Sequence, residues 1–176
     1  PSRDIALMRE AVAHHRNAQA GRAIQAIDGA LAIRPNDPFY MELKGEILLE
    51  SRNFKAAVPV YRTAAQRAGR EPLILSGLGR ALLAAGDARG ALTPLEAARG
   101  RDFSDSRLLR DLAVAYAKTG QNGKASVVTA ERYALQGRLK DAGIHAKRAV
   151  DRLPRGSGPW QRAQDVLIAA ERAARR

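Results

Sequence analysis

The sequence contains no cysteine, one tryptophan and only two methionines in 176 residues, and its aromatics amount to 5%. Without cysteine there is no disulfide framework and no cysteine-ligated zinc scaffold. So few aromatics leave little with which to stack nucleic-acid bases. No window approaches the ~18 consecutive apolar residues that a membrane span needs. The first residues include neither a start Met nor the apolar core of a signal peptide. HExxH, GxSxG and GxxxxGK[ST] are all missing. The carboxylates are scattered without a convergent pair.

What is present is alanine and arginine. There are 35 alanines, and 24 arginines stand against six lysines. Apolar residues make up 45% and charge of both signs is plentiful, so disorder is not expected. The length suits one domain or a short repeat array with enough core to fold. Alanine in this quantity with scarce aromatics points to helices in close, small-residue contact.

The formal net charge is +12, unevenly distributed. Residues 1–105 carry a surplus of three basic side chains (15 against 12), and residues 106–176 a surplus of nine (15 against 6). Such a field suits a nucleic acid, an acidic protein or an anionic membrane surface, or is a solvated arginine-rich surface. The shortage of aromatics and the lack of a nucleic-acid motif argue against the first.

A 34-residue recurrence organises the chain. Gly45, Gly79 and Ala113 form one column; Leu48, Leu82 and Tyr116 a second; Ala57, Ala91 and Ala125 a third; Tyr61, Leu95 and Thr129 a fourth. This period and these columns resemble the tetratricopeptide repeat (TPR), a pair of antiparallel helices with small residues at positions 8 and 20, large ones at 11 and 24, Ala at 27 and Pro at 32. The small residues let the two helices approach, the large ones fill the space beside them, and proline ends the second helix.

The expected fold is therefore all-α: a TPR-type α-solenoid of about ten antiparallel helices in a right-handed superhelix. Repeats are placed at about 4–37, 38–71, 72–105 and 106–139. A further match at 123–156, carried by Ala130, Tyr133, Gly137, Ala142, Ala146, Ala149 and Pro154, begins 17 residues after the fourth repeat. The helix near 122–136 should thus serve two repeats. A capping helix is expected at 158–175, after PRGSGPW, and the whole is read as a single domain. Pro59 and Pro94 fall inside expected second helices, where proline costs ~3 kcal/mol; those helices either start later or kink.

No catalytic role is assigned to this chain. His14 and His15 are adjacent, so on a helix they diverge and cannot form an i, i+4 metal pair, and His145 stands alone. The resemblance to TPR arrays implies binding through first-helix positions 2, 5, 9, 12 and 13. In repeat two these are Phe39, Glu42, Glu46, Leu49 and Glu50. In repeat three they are Leu73, Ser76, Arg80, Leu83 and Ala84, and in repeat four Arg107, Arg110, Val114, Ala117 and Lys118. The expected protein-binding groove runs from acidic to basic, with Phe39, Glu42, Glu46, Glu50, Arg80, Leu83, Arg107, Arg110 and Lys118 as its main residues. The asparagines of a chaperone-tail carboxylate clamp are missing, as Glu42, Glu46, Ser76 and Arg80 occupy those sites.

A more specific resemblance lies in TAERYALQGRLKDAGIHAKRAVDRLPRGSGPWQRAQD. It looks like the C-terminal TPR domain of BepA-like periplasmic zinc metalloproteases of Gram-negative bacteria. The matching residues are Ala130, Glu131, Gly137, Ala142, Ala146, Lys147, Arg148, Ala149, Leu153, Pro154, Gly156, Ser157, Trp160, Arg162, Ala163 and Asp165. Upstream, Pro35, Asn36, Pro38, Tyr40, Glu42, Leu43, Lys44 and Gly45 resemble the same family. The likeness implies a periplasmic C-terminal fragment of a longer protein, acting in outer-membrane protein quality control. The implied partners are its own protease domain and the outer-membrane assembly machinery or its clients. Zinc is expected only in that separate domain, and no cofactor in this chain. A free-standing TPR scaffold of an envelope complex is the alternative.

Overall fold

The structure is a computed structural model that describes residues 2–176. Among these residues there are ten α-helices and no strand: α1 (Arg3–Arg16), α2 (Ala20–Ile33), α3 (Pro38–Glu50), α4 (Phe54–Ala68), α5 (Pro72–Ala84), α6 (Ala88–Arg101), α7 (Ser106–Lys118), α8 (Asn122–Leu135), α9 (Leu139–Arg152) and α10 (Gly158–Ala174). No helix among them is long and apolar enough to cross a membrane.

The repeat is written in the backbone of the tight turns. Ala18, Arg52, Gly86 and Gly120 all take a left-handed conformation, with φ of 58°, 67°, 92° and 77°. They stand 34 residues apart, each just past a first helix. In every case the next N–H donates to the carbonyl five residues back: Gln19 to His14, Asn53 to Leu48, Asp87 to Leu82 and Gln121 to Tyr116, at 2.8–2.9 Å. This is the Schellman closure, which satisfies an orphan carbonyl of the finished helix and reverses the chain. Gly137 repeats it 17 residues after Gly120, with Arg138 donating to Tyr133 at 2.9 Å. The turn that follows α8 is therefore of the kind that elsewhere follows first helices.

Helix starts recur as well. Asp37 caps α3 by accepting from the Phe39 and Tyr40 amides, and Asp105 caps α7 by accepting from those of Arg107 and Leu108. Pro38 and Pro72 supply the preset φ of a first helical residue. Pro59 and Pro94 lie inside α4 and α6, which start at Phe54 and Ala88. The later start considered from the sequence is excluded. Inside α4, Thr63 Oγ1 donates to the Pro59 carbonyl at 3.0 Å.

The chain forms two compact units, one up to Asp87 and the other Ala88–Arg176. In the first, α1 packs on α2, α2 on α3, α3 on α4, and α5 on both α4 and α3. Ala23, Ala30, Ala57 and Ala64 are fully buried, so second helices lie flush against their neighbours. The Tyr61 ring fills the space between two glycines. A Cβ on Gly45 would sit 2.6 Å from it, and a Cβ on Gly77 would collide with its other edge. Near the chain start, Asp4 is almost fully buried; it accepts from the Tyr40 hydroxyl at 2.7 Å and pairs with Arg34 Nε at 3.0 Å.

In the second unit α6 packs on α7, α7 on α8, α8 on α9, and α10 on both α9 and α8. α8 thus packs against α7, α9 and α10, and its columns shift accordingly: Ala125 is only half-buried while Ser126, Val127, Val128 and Ala130 are buried. Glu131, at the far end of α8, accepts from Arg99 of α6 at 2.5 Å and lies 3.4 Å from Arg162 of α10. One carboxylate therefore ties three helices together.

Candidate protein-binding faces

The acidic row occupies one stripe of α3 in the first unit. Phe39, in the first turn, is 58% exposed, and Leu73 at the equivalent place on α5 is 56% exposed. Large apolar side chains held this far into solvent at matching repeat positions are not core residues. Glu42 and Glu46 follow one turn apart and are half-buried; Glu50 ends the helix and is exposed. Burial, then the charge of Glu46, pushes the Glu42 carboxyl up to about 7, against a partial offset from Arg80 on α5. Arg80 therefore lies within electrostatic reach of Glu42, across α3 and α5. Leu83 is half-buried one turn beyond Arg80. Leu49 and Ser76, which the repeat positions also nominate, are turned inward and buried.

Arg107, Arg110 and Lys118 form an exposed basic stripe on α7 of the second unit, with Val114 40% exposed between them. Leu108, Leu109, Leu112, Ala115 and Tyr116 fill the opposite side of the helix. Burial and the neighbouring Glu96 push the Tyr116 hydroxyl up to about 12, so it stays neutral.

Two features are not foreseen from the sequence. His15, near the end of α1, sits with Nε2 2.7 Å from Glu50 Oε2, and the Glu46 carboxylate lies beside that pair. The available signal is the repeat itself: His15 stands at position 12 of its repeat, one place before the column of Glu50. The second feature is a cavity of about 1070 Å³ between the start of α9 and the end of α10. Ile144, Leu167 and Ala170 line it, and Arg138, Lys140, Lys147 and Arg148 surround it. His145, on the same helix, stacks on Tyr133 with ring centroids 5.3 Å apart; burial and then Arg148 hold it below the usual imidazole value.

Neither a protein-family model nor a curated protein matches the sequence. Solved structures do. A double mutant of MamA RS-1 is 18% identical, with a TM-score of 0.74 over 99% of this chain and 97% of that one. MamA from residue 41 onward, from Desulfovibrio magneticus RS-1, is 20% identical at a TM-score of 0.70, over 76% of this chain and 75% of that one. A thermophilic TPR protein of Thermus thermophilus is 20% identical at 0.61, over 94% and 99%. The fold is therefore that of the TPR-like helical repeat proteins.

Proposed function

We propose that this chain is a non-catalytic protein-interaction module and that the α3–α5 face of its first unit holds a segment of a partner protein. The observation that carries this reading is the pairing of exposed Phe39 and Leu73 at equivalent repeat positions, next to Glu42, Glu46 and Arg80. Apolar anchors beside fixed charges of both signs suit a segment with an apolar side chain flanked by a basic one. The basic stripe of α7, Arg107, Arg110 and Lys118, would take acidic groups.

On the wider setting, the pattern from Ala130 to Asp165 supports a periplasmic protein of the BepA-like type. The module would position outer-membrane clients or assembly machinery for an attached zinc metalloprotease domain. The alternative is a free-standing scaffold of an envelope complex. An HExxH helix upstream in the same reading frame separates the two.

The test is affinity capture from periplasmic extract with the wild-type chain, the F39S/L73S double variant and an R107E/R110E double variant. Helicity should be equal in all three. We expect a protein recovered with the wild type to fall at least tenfold with F39S/L73S. Equal recovery from wild type and both variants would remove these faces from consideration.

A further inference from the structure

We propose that His15, Glu46 and Glu50 form a binding site for a divalent transition-metal ion of the zinc class, bridging α1 and α3. One ligand atom from each residue lies within 4.8 Å of the other two. A tetrahedral ion with bonds of 2.0–2.1 Å holds its ligands about 3.4 Å apart. The three atoms therefore reach that spacing by side-chain shifts of about an ångström or less, with no movement of the backbone. The His15–Glu50 contact at 2.7 Å would open slightly, and Glu46 would close in.

The fold itself sets this geometry. Glu46 and Glu50 are four residues apart on α3 and so project side by side, where like charges repel. His15 lies in the last turn of α1, and Glu50 is the last residue of α3. Both helix ends carry the negative pole of the helix dipole, which disfavours a carboxylate and favours a cation.

The donor set selects the ion. One imidazole nitrogen with two carboxylate oxygens suits Zn²⁺, Co²⁺ or Ni²⁺; Ca²⁺ and Mg²⁺ call for oxygen throughout. Three protein ligands leave a fourth position for water. A cavity of about 260 Å³ bordered by His15, Glu50, Ala18, Ala20 and Ser51 gives that position room and an entry path. The small alanines keep it open. The sequence shows the Glu46/Glu50 spacing and the repeat position of His15, but the imidazole is 31 and 35 residues from the two carboxylates, so only the fold brings the three together. The site stands independently of the protein-binding reading, since it needs no partner.

The experiment is calorimetric titration of the purified chain with ZnCl₂, repeated with CoCl₂ while visible absorption is recorded. We expect one ion per chain and a cobalt spectrum of tetrahedral type. Affinity should be 10- to 100-fold weaker in H15A and in E50Q, and unchanged in H14A, whose imidazole bonds Gln19 instead. MgCl₂ and CaCl₂ should give no heat at the same concentrations. E46Q keeps the His15–Glu50 pair and serves if H15A loses helicity; it too should weaken zinc at least tenfold. Zinc binding that is absent, or equally strong in wild type, H15A and E46Q, overturns the proposal.

Discussion

Replacing Glu42 by glutamine should stabilise the chain at pH 8 and leave its stability unchanged at pH 4. Glu42 lies half-buried on α3, and burial first and Glu46 second lift its carboxyl from 4.5 to about 7, with Arg80 pulling the other way. The folded-state value lies above the unfolded one. Between pH 4.5 and about 7 the unfolded chain therefore releases this proton while the folded chain keeps it. Stability falls as pH rises through that window and levels off above it. A shift of this size corresponds to ~3 kcal/mol at full weight. The carboxyl is partly hydrated, and screening reduces the effect to about 1–2 kcal/mol. Glutamine copies the neutral acid in shape and hydrogen bonding but cannot ionise. Urea unfolding followed by circular dichroism at pH 4, 5.5, 7 and 8 reads the difference, with exposed Glu10→Gln as control. A gain from E42Q that is the same at every pH, or that appears only on the acid side, would refute the reasoning.

Other substitutions test the packing. Gly77→Ala should cost about 1–3 kcal/mol, since its Cβ meets the Tyr61 ring; Tyr61→Leu in the same chain should recover part of it, seen as non-additivity in a double-mutant cycle of urea midpoints. Ala18→Gly should stabilise by about 0.5–1 kcal/mol, because the left-handed backbone at Ala18 is strained for an L residue and free for glycine. Glu131→Gln should cost about 1–3 kcal/mol, as it withdraws the anion that Arg99 and Arg162 share; thermal melts with and without 1 M NaCl check this, and the loss should shrink only modestly with salt because the Arg99 end is largely buried.

Much of the fold is legible in the sequence because it is periodic. Columns such as Ala23/Ala57/Ala91 and Ala30/Ala64/Ala98 are fully buried, and the recurrence of Gly86 and Gly120 marks the left-handed turns. Ala18 and Arg52 take the same conformation without the glycine signal, so only their place in the repeat identifies them. Contacts between successive repeats are harder to read. Gly79, the small residue of its column, is buried, but the column pattern gives no sign that the Tyr61 ring presses on Gly77, where a side chain of one hairpin reaches into the next. Column rules describe contacts within a hairpin and say little about that. Leu49 and Ser76, nominated for the binding face, point inward for a related reason: α3 packs against α2, α4 and α5, and α5 against α3 and α4, which narrows the stripe left for solvent. Ala125 departs from its column because α8 is shared among α7, α9 and α10. The His15–Glu50 pair and the Arg99–Glu131–Arg162 cluster join residues 31 to 35 positions apart, and no local pattern announces them.

The central claim, that the α3–α5 face holds a protein partner, is tested most directly by site-specific photo-crosslinking. A photoreactive residue would replace Phe39 or Leu73 in turn, with exposed Arg62 on α4 as control, and crosslinked peptides would be read by mass spectrometry. The account predicts that one partner segment, carrying an apolar residue next to a basic one, crosslinks to positions 39 and 73 and not to 62. Equal crosslinking from position 62, or none from 39 and 73 while the partner still binds, would contradict it.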